Sequence, residues 1–206
     1  MDGGSKIIAK RAFRCQRPWT RPARSVILIT VITARVLRRG LFLLGVALAV
    51  VLPVRIWVAE PIVVASASML PALRVGEVMV LDRWTLRGRG PRRGEIVSFR
   101  SPVGDLDMVK RVIAVPGDEV QIKHKAVYLN GRLQDEPYAL HTLPRARLDG
   151  DDLGPLTVPP DSYFVLGDNR DQSDDSSVWR DPEGRRVYFV PRAALQGLVR
   201  ALPWAS

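Results

Sequence analysis

Apolar positions along the chain fall into two regimes. Residues 41–54 read LFLLGVALAVVLPV without interruption, and after Arg55 the run resumes as IWVA to Ala59. The first fourteen residues would make a helix of only ~21 Å, whereas all nineteen to Ala59 make ~28 Å, close to a hydrocarbon core of ~30 Å. One transmembrane helix is therefore expected over residues 41–59, with Arg55 snorkelling and Trp57 at the interface. A buried core helix would show the same run. The earlier apolar stretch Val26–Val36 is broken by Arg35 and too short for a second span, so an interfacial helix is expected there. A cleavable signal peptide fits less well, because the preceding basic region is long and Glu60-Pro61 follows the apolar run in place of small residues.

From Pro61 onward the pattern changes to short Val- and Ile-rich runs punctuated by Gly, Pro and Asp. These are VGEVMVLD (75–82), GEIVSFR (94–100), MVKRVIAV (108–115), EVQIKHKAVYLNG (119–131), SYFVLGD (162–168) and RVYFVP (186–191). No long helical period competes, so the body reads as mainly β. Asn130-Gly131 predicts a type I′ hairpin turn, since both positions require positive φ. Residues 132–157 are polar and Pro-bearing and are expected to be loops, part of a small excursion from the main sheet around 118–157.

Charge sharpens the picture. Residues 1–40 hold ten Lys/Arg against the single acid Asp2, so they carry nine of the ten net positive charges of the 206-residue chain. A nucleic-acid-binding module would carry its basic residues on the folded body, so no nucleic-acid partner is expected; the lipid bilayer is. The positive-inside rule then makes residues 1–40 a cytoplasmic arm and places residues 60–206 on the outer face. Cys15 is the sole cysteine, which excludes an intrachain disulfide and a cysteine-rich zinc site.

Hydrolysis by a side-chain nucleophile needs a Ser, Thr or Cys, a base and oxyanion donors. Cys15 lies on the wrong side of the expected span, and His124 and His141 sit in no motif-like segment, although a Ser-His-Asp triad stays formally open. Ser66 and Ser68 lie among small residues just after the span, in Ala65-Ser66-Ala67-Ser68-Met69-Leu70-Pro71; local composition alone reads this as a linker. Lys110 lies in a strand-like run whose alternation groups Met108, Lys110, Val112 and Ala114 on one face. Desolvation there would lower its pKa and make the proton-accepting amine available; an edge lysine reaching solvent is the alternative. The acidic segment Gly167–Ser176 cannot be an EF-hand loop, because with Asp171 as position one, positions six and twelve would be Ser176 and Pro182 instead of Gly and Glu. A solvated turn remains open for it.

Taken in order, these segments resemble the type I signal peptidases, Ser-Lys membrane proteases. Ser66-Ala67-Ser68-Met69-Leu70-Pro71-Ala72-Leu73 is similar to the family's nucleophile box and Arg93-Gly94-Glu95-Ile96-Val97 to its Arg-Gly-Asp-Ile-Val box. Met108–Asp118 is similar to the lysine box, and Gly167-Asp168-Asn169-Arg170-Asp171-Gln172-Ser173-Asp174-Asp175-Ser176 to the last box. The resemblance implies an antiparallel β-sheet catalytic domain behind one N-terminal transmembrane helix. It implies Ser68 as nucleophile, Lys110 as base, and Ser66 with the Ser68 N–H as oxyanion hole. Ser173 would orient Lys110, Asp168 would pair with Arg111, and Asp175 would hold the Ser173 loop. Substrates would be signal peptides of exported preproteins with small residues at −1 and −3, cut at the periplasmic face of a bacterial inner membrane without cofactor or metal. A peptidase dedicated to one substrate, as in conjugation, and a membrane-anchored binding module without catalysis are the rival readings.

Three departures from the family pattern stand out. Ala65 replaces a common proline, residues 180–186 look like a local insertion, and Ser177 replaces the arginine that would face Asp175. Arg180, Arg185 or Arg186 is expected to reach back to Asp175 in its place.

Overall fold

The computed structural model describes the backbone of residues 24–57 and 59–201, with side chains described over 36–52 and 60–201. Cys15 and most of the basic arm lie outside the described residues, as do the side chains of Arg55 and Trp57. The chain divides between Ala49 and Val50 into two compact units.

Helix α1 (Arg24–Trp57) is continuous over 34 residues, running through the Val26–Val36 stretch and on to Trp57. Ala59 already belongs to the first strand. The consecutive residues Leu41, Phe42, Leu43 and Leu44 are all exposed, so apolar side chains surround the axis without cover. No helix long and apolar enough to cross a membrane occurs among the described residues. The part of α1 with described side chains, residues 36–52, would span about 26 Å against a core of ~30 Å.

Among the described residues the body is built of eleven strands, a short helix and three 3-10 turns. The helix and the first strands are β1 (Ala59–Val63), β2 (Val78–Asp82), α2 (Thr85–Gly88), β3 (Ile96–Arg100), β4 (Asp107–Ala114), β5 (Glu119–Lys123) and β6 (Ala126–Leu129). After them come β7 (Arg132–Leu133), β8 (Leu153–Thr157), β9 (Ser162–Leu166), β10 (Val190–Pro191) and β11 (Leu195–Ala201). A seven-stranded sheet has the order β1-β2-β11-β3-β4-β9-β10, and a four-stranded sheet the order β7-β6-β5-β8. Every strand pair is antiparallel, in agreement with the mainly β reading.

The six apolar runs each contribute strand, and Asn130 and Gly131 turn the chain at φ 51° and 76° between β6 and β7. A second tight turn falls inside the fourth run, at His124 and Lys125, with φ 47° and 69°. RVYFVP shrinks to Val190–Pro191, because the Val187 N–H donates to Trp179 O at 3.1 Å and Tyr188 and Phe189 pack against the core as irregular chain.

Strands β4 and β9 are covered on both faces. Val112, Tyr163 and Val165 join one core around Phe99 and Trp179, whose rings meet edge to face at 5.8 Å. Phe164 and Leu166 join a second core with Val120, Ile122 and Val127 of the small sheet. A register shift between Val112 and Ala114 changes the expected alternation: Ala114 packs in the second core, not on the face of Lys110 and Val112. The extra residue of a bulge rotates everything beyond it, which leaves Lys110 on the side away from the small sheet.

Candidate active site

Ser68 sits in a single 3-10 turn, Ala67–Met69, entered from the extended Ser66. The turn is anchored from below by Met69, which is buried with Leu73, Met79 and Leu81. Lys110 faces it from β4, paired in register with Val97 of β3. Its Nζ lies 2.8 Å from Ser68 Oγ, and the lysine is 3% exposed. Burial holds the Lys110 pKa below the ordinary lysine value, against the opposing charges of Asp175, Asp174 and Asp168. Ser66 Oγ is 3.1 Å from Ser68 Oγ. A base with reduced proton affinity, touching a hydroxyl out of bulk water, is the arrangement that activates a serine. The pair opens on a cleft of about 340 Å³ walled by Ile62, Val64, Leu81 and Met108.

The loop after β9 packs against this turn. Asn169 N–H donates to Ser68 O at 3.0 Å, and its Nδ2 donates to Ala67 O at 3.2 Å. Gly167 permits the close approach: a Cβ there would lie 2.6 Å from Ser68 O and 2.6 Å from Ser173 Cβ. Ser173 Oγ is buried over that glycine and has no hydrogen-bond partner among the described residues, Lys110 included. Arg111 donates to Asp168 from Nε at 2.8 Å and from Nη2 at 2.5 Å.

The arginine expectation at Asp175 is overturned. Asp175 is filled by its own neighbourhood: it accepts from Gly167 N at 2.9 Å, and from Ser177 N and Oγ at 3.0 and 2.8 Å. Arg180 pairs with Asp149, and Arg185 with Asp181 and Glu183. Arg186 pairs with Asp149 and reaches only the Ser177 carbonyl, at 2.6 Å. A serine hydroxyl and two main-chain N–H groups supply the donors that a guanidinium would have supplied.

Neither histidine hydrogen-bonds to a serine among the described residues. His124 is exposed beside Asp152, and His141 Nδ1 lies 3.8 Å from Asp171. No cluster of His, Cys, Asp and Glu fit to hold a metal occurs among the described residues. The acidic loop is instead internally engaged, with Asp171 bound to Lys125 Nζ at 2.5 Å. Residue patterns alone gave no role to Gly167 or Asn169. Their contribution is a backbone approach across about a hundred residues of sequence, which no local pattern signals.

Residues 37–204 match the family model described as signal peptidase, peptidase S26. A probable signal peptidase I-2 of Synechocystis sp. is 37% identical over 158 residues, covering 73% of this chain and 66% of that protein, just under two thirds of its length. Signal peptidase I S of Bacillus subtilis is 40% identical over 137 residues, covering 64% of this chain and 73% of that one. Signal peptidase I of Leptolyngbya laminosa is 34% identical over 169 residues, 78% and 76% of the two chains. A crystal structure of a signal peptidase I from Enterococcus faecalis V583 aligns at 31% identity with a TM-score of 0.41, covering 52% of this chain and 95% of that one.

Proposed function

The chain belongs to the signal peptidase family, peptidase S26, and on that premise we propose that it is a membrane-tethered serine endopeptidase that removes signal peptides from exported preproteins through a Ser68–Lys110 dyad. It is a hydrolase of the signal peptidase I type. The observation that carries the mechanism is the buried 2.8 Å contact between Lys110 Nζ and Ser68 Oγ. Lys110 takes the Ser68 proton as Oγ attacks the scissile carbonyl. The oxyanion that forms accepts hydrogen bonds from the Ser68 N–H and the Ser66 hydroxyl. Collapse of this intermediate breaks the C–N bond, and the Lys110 proton leaves with the new amine. Water, deprotonated by the same lysine, then hydrolyses the acyl-enzyme and restores Ser68. Asp168 with Arg111, and Asp175 with Gly167 and Ser177, support the loop whose Ser173 packs over Gly167 beside the Ser68 turn.

The aliphatic wall of Ile62, Val64, Leu81 and Met108 suits apolar side chains, in keeping with substrates that carry residues such as Ala at −1 and −3. The test is incubation of the detergent-solubilised full chain with a preprotein. Cleavage after Ala-x-Ala is expected, with loss of cleavage when −1 becomes a large residue and none by Ser68→Ala. Unchanged cleavage by Ser68→Ala would refute the dyad.

The tether is the apolar part of α1, residues 41–57. It combines the exposed apolar side chains at 41–44 with a basic N-terminal arm that stays in the cytoplasm. A protease added outside spheroplasts is expected to digest the body from about residue 60 and to spare a fragment carrying the arm. Protection of the body would reverse the orientation.

A further inference from the structure

Next to the dyad, the Arg111–Asp168 pair is extended by three side chains given no role above, Tyr138, Glu136 and Arg170. Arg111, adjacent to Lys110 in β4, stacks its guanidinium 4.1 Å over the Tyr138 ring while gripping Asp168. The Tyr138 hydroxyl donates to Glu136 Oε1 at 3.0 Å. Burial, followed by the Glu136 charge, pushes the phenol pKa well above its ordinary value, so that proton stays in place. Glu136 accepts from both terminal nitrogens of Arg170, at 2.9 and 2.8 Å, and both side chains of this pair are only 9% exposed. The main chain doubles the link: Leu140 N–H donates to Asp168 O at 2.7 Å, and Arg170 N–H donates to Leu140 O at 3.0 Å. Segment 136–140 is thus laced to residues 168–170, and the middle residue of that triplet, Asn169, holds the Ser68 carbonyl at 3.0 Å.

A two-point Arg–carboxylate pair fixes direction as well as distance, and removing one partner of a buried pair leaves the other uncompensated. We propose that Glu136 and Tyr138 are positioning residues for the cleavage reaction: through Arg170 and Arg111 they set the loop Gly167–Asn169 against the Ser68 turn. The proposal rests on the Ser68–Lys110 reading. Substrate touches neither residue in this scheme, so their loss reduces turnover and leaves binding intact. A displacement of the nucleophile turn by ~1 Å is enough to cost on the order of 10²-fold in rate.

The experiment uses the full chain in detergent micelles, with steady-state cleavage of a preprotein and thermal unfolding measured side by side. Glu136→Gln is expected to lower kcat by about tenfold or more with KM within about twofold, as misplacement without lost binding requires. Glu136→Asp is expected to recover part of kcat. Tyr138→Phe removes one oxygen, keeps the stacked ring, and is expected to lower kcat by a smaller factor; it decides alone if Glu136→Gln does not fold. Unchanged kcat in the folded variants, a loss equal to the unfolded fraction, or a change confined to KM would each overturn the proposal. Ser68→Ala runs as the control. A cleaving Ser68→Ala refutes the dyad itself, whereas an inert Ser68→Ala beside fully active Glu136→Gln and Tyr138→Phe refutes only the positioning role.

Discussion

Lys110→Met is expected to lower cleavage by about 10³–10⁴-fold, the range spanned by losing a general base from a nucleophile that depends on it. The residue is buried, and methionine matches its shape without an ammonium to desolvate, so the fold should hold in thermal unfolding. Ser68→Ala should lose as much, and the double variant should be no worse, because the two side chains act as one unit. The sign of the pH response follows from the site. Burial lowers the Lys110 pKa, so the proton-accepting amine becomes available below the pH of an ordinary lysine. Wild-type cleavage should therefore rise as pH increases through that depressed pKa, and the residual rate of Lys110→Met should lose this limb. Substantial pH-dependent activity in Lys110→Met would place the base elsewhere.

Gly167→Ala is expected to reduce kcat by about 10²-fold, although the change adds one methyl group to a residue that carries no chemistry. The new Cβ would sit 2.6 Å from Ser68 O and closer still to Ser173 Oγ. Rotation of Ser173 would clear its Oγ but not its Cβ, also 2.6 Å away, and the Ser68 carbonyl cannot retreat without shifting its own residue. Ser173→Gly should accordingly fail to rescue Gly167→Ala. Near-normal turnover by Gly167→Ala, measured on a preprotein, would show that loop and turn are not rigidly coupled.

Sequence patterning located the strands that carry continuous or alternating apolar residues, because burial of those side chains is what makes them strands. It passed over β1, with Glu60 and Pro61 in its middle, and β8, interrupted by Gly154 and Pro155. It also passed over β11, whose pairing with β3 shifts register between Leu195 and Gly197. These strands are specified by partners distant in the chain. The same holds at the site. Composition read Ser68 as linker and left Lys110 open between a desolvated amine and an edge lysine; family resemblance singled them out, and the geometry supplies a contact across 42 residues. Residues 132–157 looked structureless for lack of period, yet they contain Glu136 and Tyr138, whose partners are ionic and aromatic.

Strand β11 lies between β2 and β3, near the middle of the larger sheet. A ribosome therefore delivers Ser68, Lys110 and the Ser173 loop before it delivers the strand that joins the two halves of their scaffold. Until residues 195–201 emerge, β2 and β3 have no common neighbour, and the Ser98 hydroxyl lacks its 2.7 Å acceptor on Gln196. The order of synthesis thus leaves the scaffold of the Ser68–Lys110 pair open along its middle until the last strand pairs.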